Sequence, residues 1–353
     1  MAHADAVPEA FRETVDEATY ARSVRYALAR SRFSQVEDTW GAVVLAACLF
    51  TGVLPWALGV FRSRLGDSPW SMAAFLLATG LALALPSQPL EWLEQFRLEE
   101  RFGFNTTSQG LWWMDRLKGC LLAVLLGYPV LALILALVSW TGTAWWFWAW
   151  AALLAFQLLV AVLAPVLILP LFNKFTPLPE GGLRDRLLAL AARTSFQARG
   201  IQVMDGSRRS RHSNAFFTGF GRFRRIVLFD TLVQQLTEPE LEAVLAHEIG
   251  HFKERHVPKR LAVSALLSFA GFGVVAFLAD QSWFYRAFGF EPGLLAPALL
   301  LFGLLSGLAT FWTSPLSNGW SRRHEYQADA YAARAVGSPD PLIQALRKLN
   351  ERN

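Results

Sequence analysis

Charged side chains are scarce in this chain. Of its 353 residues only 17% are Asp, Glu, Lys or Arg, whereas soluble domains carry about a quarter. Cysteine is almost absent as well, and Cys48 and Cys120 both lie in apolar stretches, where they act as small hydrophobic side chains. The low charge argues against an ordinary soluble domain. The two isolated cysteines exclude a disulfide framework and a cysteine metal site.

The chain also lacks an internal repeat and low-complexity sequence. No cleavable signal peptide is expected, because the first 39 residues are polar and charged. Apolar residues dominate instead: they make up 54% of the chain, include 14 Trp and 27 Phe, and come in long blocks. A block of about 20 apolar residues can cross the roughly 30 Å hydrocarbon core of a membrane. The sequence therefore predicts a multi-pass integral membrane protein, and so a mainly α polytopic membrane helix bundle.

Six apolar blocks are predicted to span the membrane. They are Trp40–Phe61, Trp70–Leu90, Gly119–Trp140, Trp145–Phe172, Leu261–Ala279 and Leu294–Leu316. The second is the weakest, because Pro86, Gln88 and Pro89 interrupt it, and a buried core helix is the alternative there. The blocks divide the chain into a polar segment 1–39, four spans within 40–172, a soluble insert 173–260, two spans within 261–316 and a C-terminal segment 317–353.

Basic residues fall almost entirely on one side of these spans. The chain ends and alternate loops hold all but three of the 33 Lys and Arg residues, the exceptions being Arg62, Arg64 and Arg286. Positive charge stays on the cytoplasmic side. Both termini, the loop Arg97–Lys118 and the segment Asn173–Arg260 are therefore expected in the cytoplasm. Topology and contact with anionic membrane lipids account for this charge, so no nucleic-acid partner is expected.

The soluble insert contains predicted helices and a β-hairpin. Apolar residues at helical spacing predict a helix over Gly182–Ser195. The β-prone runs Ala215–Phe220 and Arg225–Phe229 are predicted to pair through the turn at Gly221-Arg222-Phe223-Arg224. Thr237-Glu238-Pro239-Glu240 then reads as a capping box with proline in the first helical turn, which predicts a helix ending near His256.

That last helix carries the HExxH pattern typical of zinc proteases, at residues 247–251. His247 and His251 are four residues apart, so they share one helix face and can present two imidazole nitrogens to one ion. Glu248 lies beside that face, within reach of a metal-bound water, and is the predicted general base. Because a catalytic zinc takes three protein ligands and one water, the pattern predicts a zinc-activated hydrolase with a third ligand elsewhere.

Four residues are candidates for the third ligand. His256 is one position too early for the metzincin pattern and is expected to be a solvated histidine at the helix end. His212 lies in an arginine-rich turn with no helical register to the motif. His324 and Glu325 are consecutive and point about 100° apart on a helix, so only one of them can be a ligand. Asp329, four residues after Glu325, favours the carboxylate, because it could orient a metal-bound histidine.

Several further segments carry a family resemblance. They are Val7-Pro8, Tyr26 to Phe33, Glu99 to Asn105, Asp205-Gly206-Ser207, His212 to Phe220, Ile226 to Thr231 and Ser321 to Ala330. Together with HEIGH at 247–251, these segments make nearly the whole chain similar to the type I CAAX prenyl endopeptidases. That similarity is far more specific than HExxH alone.

The resemblance implies an integral-membrane zinc endopeptidase whose helices enclose a large water-filled chamber, with one zinc ion at one end. It also implies Glu325 as the third ligand and the strand around Asn214–Phe220 as the edge that binds substrate, with Asn214, Ala215 and Phe216 as the contact residues. The expected substrates are membrane-associated or C-terminal peptides, lipidated ones included. The expected cellular location is a bacterial inner membrane or a eukaryotic membrane of the endoplasmic-reticulum type.

The sequence departs from the family pattern in two places. Family members begin with one more span before the position of Val7, and they continue past the position of Asn353 with a His-Pro segment and a nearby arginine. A truncated chain, or another transition-state stabiliser, is therefore expected. Two alternative functions remain: a heat-shock-type membrane zinc protease, and a catalytically inactive membrane scaffold stabilised by zinc. The spans before the catalytic segment and the Asn214–Phe220 signature argue against the first.

Overall fold

The structure is a computed structural model that describes residues 16–218 and 224–352. Val7, Phe220, the turn residues 221–223 and Asn353 lie outside the described residues. Helices make up most of the described chain. They are α1 Glu17–Phe50, α2 Val53–Leu65, α3 Pro69–Ala84, α4 Gln88–Leu93, α5 Glu100–Phe102, α6 Gln109–Leu122, α7 Tyr128–Thr141, α8 Trp145–Leu163, α9 Leu169–Phe172, α10 Gly182–Arg193, α11 Asp230–Gln235, α12 Glu238–Lys253, α13 His256–Ala279, α14 Ser282–Arg286, α15 Leu295–Val336 and α16 Asp340–Arg352.

By length and composition, four helices of the described chain could cross a membrane, and a fifth crossing is possible where α1 and α2 meet at a bend of 56° between Phe50 and Val53. The number of six spans stays a prediction. The second span is helical from Pro69 to Phe102 despite its two prolines, through short 3₁₀ and π turns. The apolar run Gln109–Phe172 has 64 residues, which would be about 96 Å of straight helix, far more than a membrane's thickness. The chain folds back within this run between α7 and α8, since Trp145 and Ala149 of α8 pack onto Ile134 of α7.

Apolar side chains cover both the inside and the outside of the helix bundle. Phe75 and Leu301 are fully buried in its core. Away from that core, Phe311 is 70% exposed and Trp312 is 79% exposed. Exposed apolar surface on this scale fits contact with lipid rather than water. The prediction of a polytopic membrane helix bundle is confirmed.

A cavity of about 940 Å³ lies between α8, α13 and α15. Most of its lining is apolar, but Arg260, Ser264, Ser268, Thr313 and Ser317 give it a polar side. These three helices therefore leave an open cavity between them, next to the soluble segment.

The soluble segment contains a four-stranded sheet of β1 Phe175–Pro177, β2 Gly200–Met204, β3 Ala215–Thr218 and β4 Arg225–Phe229, in the order β1-β2-β4-β3. The predicted hairpin is β3 with β4, which are antiparallel with Ala215 opposite Leu228. β1 and β2 were not predicted, and β2 pairs with β4 in parallel. β3 is consequently the outer strand of the sheet at one edge.

α12 packs its apolar face on this sheet. Leu241, Leu245 and Ile249 are at most 1% exposed and share a core with Leu228. Burial of each such side chain contributes about 1.5–3 kcal/mol. The predicted capping box is present at the start of the helix, where the Glu240 carboxylate accepts the N–H of Thr237.

This helix ends three residues before the predicted end at His256. α12 ends at Lys253, and Arg255 adopts a left-handed conformation with φ of 55°, which interrupts the helix. His256 is the first residue of α13. After this break the His256 ring contacts His251 of α12.

Candidate metal centre

Two helices meet at a glycine and bring the predicted site residues together. A Cβ atom on Gly250 would lie 3.0 Å from the Cα atom of Ala328 in α15. Carbon atoms rarely approach so closely, and the nearest atoms here belong to the backbone, so a larger residue would require the two helices to move apart by a few tenths of an ångström. The close approach places Glu325 and Asp329 of α15 beside His247 and His251 of α12.

The three predicted ligand atoms form a small triangle. The Nε2 atoms of His247 and His251 are 3.2 Å apart, and the Oε2 atom of Glu325 lies 3.4 Å from the first and 3.5 Å from the second. Ligands at the usual 2.0–2.1 Å from a tetrahedral zinc ion are about 3.3 Å from one another. The triangle therefore has the size that zinc requires. About half of the Glu325 side chain is exposed, which leaves one side of the triangle open.

The protonation of His247 also fits a metal ligand. Its Nδ1 atom is 2.8 Å from Oδ1 of Asp329, an acceptor, so Nδ1 carries the hydrogen and Nε2 presents a lone pair. That lone pair faces the carboxylate oxygen of Glu325. Electron-rich atoms pointed at one another repel unless a cation lies between them. The donor set thus fits zinc, and Asp329 occupies the predicted outer position.

The prediction that His256 is a solvated histidine is wrong. His256 is only 1% exposed, and its Nδ1 atom lies 2.9 Å from Nδ1 of His251. Its Nε2 atom lies 3.0 Å from Oε1 of Gln327. The His256 ring stacks on His324, with centroids 3.9 Å apart and planes 14° apart. Neither His256 nor His324 belongs to the group of possible metal ligands found among the described residues.

Sequence reasoning missed His256 and Gln327 because they are 71 positions apart and no spacing rule relates them. His212, another rejected candidate, lies elsewhere. Its Nε2 atom is 3.5 Å from the carboxylate of Glu99, which also accepts hydrogen bonds from Tyr26 and Arg30. This cluster joins three segments of the family resemblance and ties α1 to the loop that leads into β3.

Glu248 is partly buried next to His247 on α12. Burial raises the pKa of Glu248 to about 7, and the nearby Glu325 carboxylate adds to the rise. A cation held at the ligand triangle would act in the opposite sense, since it stabilises the ionised carboxylate. With or without a cation, the pKa of the Glu248 carboxyl group depends strongly on the charges near it.

The predicted substrate-binding residues lie at the start of the outer strand. The N–H of Phe229 in β4 donates to the carbonyl of Asn214, so the outward N–H and C=O groups are those of Ala215 and Phe217. The side chain of Asn214 accepts the N–H of Ala215. Phe216 and Phe217 face a cleft of about 860 Å³.

That cleft lies between β3, the end of α8 with α9, and the junction of α12 with α13. Its walls are mainly apolar, and Pro165 and Leu169 belong to the membrane-length helix. Arg224, Lys253 and Arg255 place positive charge at its boundary. The outer strand thus lies beside a space suited to an apolar group with a negatively charged neighbour.

Comparison with known proteins identifies the family. Residues 1–174 match the family model described as CAAX prenyl protease N-terminal, five membrane helices, and residues 177–351 match peptidase family M48. The CAAX prenyl protease 1 homolog of Arabidopsis thaliana is 34% identical, over 98% of this chain and 84% of that protein. CAAX prenyl protease 1 of Saccharomyces cerevisiae is also 34% identical, over 98% of this chain and 82% of that protein.

A solved structure is similar as well. The crystal structure of S. mikatae Ste24p has a TM-score of 0.87 and 34% sequence identity, and it covers 98% of this chain and 85% of that one. These relatives do not favour the heat-shock-type protease or the inactive scaffold. The chain belongs to peptidase family M48, and it is a membrane-embedded zinc metalloendopeptidase of the CAAX prenyl protease type.

Proposed function

We propose that His247, His251 and Glu325 hold one zinc ion and that Glu248 is the general base for peptide hydrolysis. The observation that carries this proposal is the ligand triangle, with sides of 3.2, 3.4 and 3.5 Å, whose third corner, Glu325, comes from a separate helix. A bound zinc ion supplies Lewis-acid chemistry, polarising the scissile carbonyl and lowering the pKa of a water molecule to about 7.

The chain's own residues carry out the proton transfers. Glu248 accepts a proton from the attacking water and delivers it to the nitrogen of the leaving amine, because its carboxylate adjoins the ligand face of α12. Asp329 holds the His247 ring in the orientation that aims Nε2 at the ligand triangle. Glu325 closes the triangle from the other helix.

The peptide binds as an added strand beside β3. The backbone groups of Phe217 and the carbonyl of Ala215 point away from β4 and are directed toward an incoming chain. The N–H of Ala215 becomes available to the peptide once the Asn214 side chain turns away. Backbone pairing of this kind binds many sequences, so selectivity arises elsewhere.

The cleft beside Phe216 and Phe217 supplies that selectivity. Its apolar walls suit a lipid attached to the peptide, and Lys253 and Arg255 suit a C-terminal carboxylate. The named relatives are CAAX prenyl proteases. We therefore propose a C-terminal peptide carrying a prenyl group as the substrate.

Two peptides of identical CAAX sequence, one prenylated on cysteine and one not, test this substrate. The purified protein is expected to release the C-terminal residues of the prenylated peptide with at least about a tenfold higher kcat/KM, since burying the apolar isoprenoid chain stabilises the bound state. A chelator should abolish cleavage, and added zinc should restore it. Equal rates on both peptides would contradict the proposed preference for a lipidated substrate but would still agree with peptidase activity. Absence of cleavage of either peptide by the zinc-loaded protein would contradict the proposed peptidase activity.

We further propose that the active site faces the cytoplasm. The charge asymmetry across the six spans supports this orientation, because His247 and Glu325 lie on the side that holds nearly all of the basic residues. Membrane lipids contact the same basic residues at that surface.

Single cysteines in a variant lacking Cys48 and Cys120 test the orientation. Ser68 and Ser282 are exposed, so cysteines at these positions should react with an impermeant thiol reagent applied outside intact cells. Cysteines at Asp185 and Gln234, also exposed, should react only after the membrane is opened. External labelling of Asp185→Cys would contradict the proposed orientation. Labelling of Ser68→Cys and Asp185→Cys from the same side would contradict the six-span topology.

A further inference from the structure

We propose that His256 is a positioning residue for the metal site, which fixes the ring of His251 and is itself fixed by Gln327. The proposal rests on the assignment of His251 as a zinc ligand. It assigns a function to a buried histidine that lies outside the HExxH pattern and outside the group of possible ligands.

The hydrogen bonds define one consistent arrangement of protons. His251 presents Nε2 to the ligand triangle, so its hydrogen lies on Nδ1, which is 2.9 Å from Nδ1 of His256. His256 must therefore accept on Nδ1 and carry its own hydrogen on Nε2. That Nε2–H lies 3.0 Å from Oε1 of Gln327, which accepts it. Each ring is neutral, and each nitrogen along the chain has a partner.

Packing holds the His256 ring in the plane that these hydrogen bonds require. The ring stacks on His324, which is 2% exposed, and the edge of Trp320 contacts His324 with centroids 4.7 Å apart. The left-handed turn at Arg255 delivers His256 to this position at the first residue of α13. A buried ring clamped in this way restricts the rotation of the ring that it contacts.

The two histidine ligands consequently have different outer partners. His247 donates to the carboxylate of Asp329, whereas His251 donates to a neutral imidazole. Both partners fix a tautomer, but only the first adds negative charge. With Glu325 already a carboxylate ligand, a neutral partner at His251 positions the ring without further lowering the net charge of the site.

Zinc affinity of the purified 353-residue chain tests the proposal and is measured by competition with a chromophoric chelator. His256→Phe keeps a flat ring against His324 but cannot accept from His251, and it should weaken zinc binding about 10- to 100-fold. His256→Asn should recover most of the affinity, because its Oδ1 atom lies near the position of Nδ1. The matched control is His324→Phe, which preserves the stack without contacting His251 and should stay within about threefold of the unmodified chain, well short of the loss expected at an outer partner.

Gln327 gives a second, independent test away from the buried stack. Gln327→Glu provides an acceptor for His256 Nε2–H and should retain zinc affinity, whereas Gln327→Leu should reduce it. This pair decides the question if His256→Phe does not fold, which the thermal unfolding temperature of the zinc-free protein reports. The visible absorption spectrum of the cobalt-substituted protein should change in His256→Phe and Gln327→Leu, since the orientation of His251 changes.

Unchanged zinc affinity in both His256→Phe and Gln327→Leu would overturn the positioning role while leaving the metal site standing. Retention of stoichiometric zinc in His251→Ala would instead contradict the ligand assignment on which the proposal rests. The two failures are therefore distinguished by which variant keeps the metal.

Discussion

Replacing Glu248 with glutamine is expected to leave one zinc ion bound and to reduce peptide cleavage about 100- to 10,000-fold, the range that general acid–base catalysis contributes. The amide has nearly the shape of the carboxylate but cannot accept the proton of the attacking water. The ligand atoms belong to His247, His251 and Glu325 and are unchanged. Zinc content by elemental analysis and turnover of the CAAX peptide are measured on the same sample.

Glu254→Gln is the matched control for this variant. Glu254 is the residue directly after α12, so the substitution removes one carboxylate from the same region without touching the ligand face. Its activity should stay within about twofold, as is usual for a substitution away from a functional feature. Loss of stoichiometric zinc from Glu248→Gln would show that Glu248 is a ligand and that the assigned function is wrong.

Replacing Glu325 with alanine is expected to remove stoichiometric zinc and activity together. The side chain supplies one corner of the ligand triangle, and two histidines one helical turn apart hold zinc much more weakly than three ligands. Dialysis against a weak chelator followed by metal analysis measures the loss. Added zinc in excess should restore little cleavage.

Asp329→Ala is the comparison for Glu325→Ala, because it removes a carboxylate one turn further along the same helix face. Asp329 contacts Nδ1 of His247, on the far side of the ring from the metal position, so zinc affinity should fall only about 10- to 100-fold. If His324→Ala loses the metal while Glu325→Ala keeps it, the third zinc ligand is His324 and the assignment of Glu325 is wrong.

The sequence predicted those features of the site that depend on local rules. Capping residues at Thr237 and Glu240 located the start of α12, and helical spacing placed His247 and His251 on one face. Helical spacing also predicted the relation of Glu325 to Asp329, and the structure brings both carboxylates to the histidines. The length and apolarity of the blocks were sufficient to predict the membrane-length helices, because crossing a membrane requires a minimum number of apolar residues.

Features that depend on contacts distant in sequence were not predictable. His256 was taken for a solvated residue because nothing near it in the sequence indicates the stack with His324 or the bond to Gln327. β1 and β2 were missed because no tight turn links either of them to a partner strand: α10 lies between β1 and β2, and β2 pairs with β4 in parallel. The boundary between 316 and 317 lies inside α15, which continues as one helix where hydropathy falls.

The continuity of α15 has a mechanical consequence. The helix has 42 residues, about 63 Å, and it joins the membrane bundle to the carboxylate of Glu325. Its contact with Gly250 is at Ala328, about 4.5 Å along the axis from Glu325 and about 18 Å from Leu316. A tilt about that contact therefore moves Glu325 about a quarter as far as it moves Leu316. Bilayers of different thickness change helix tilt, and because the glycine of HEIGH places the pivot close to the triangle, such tilting moves Glu325 only a short distance.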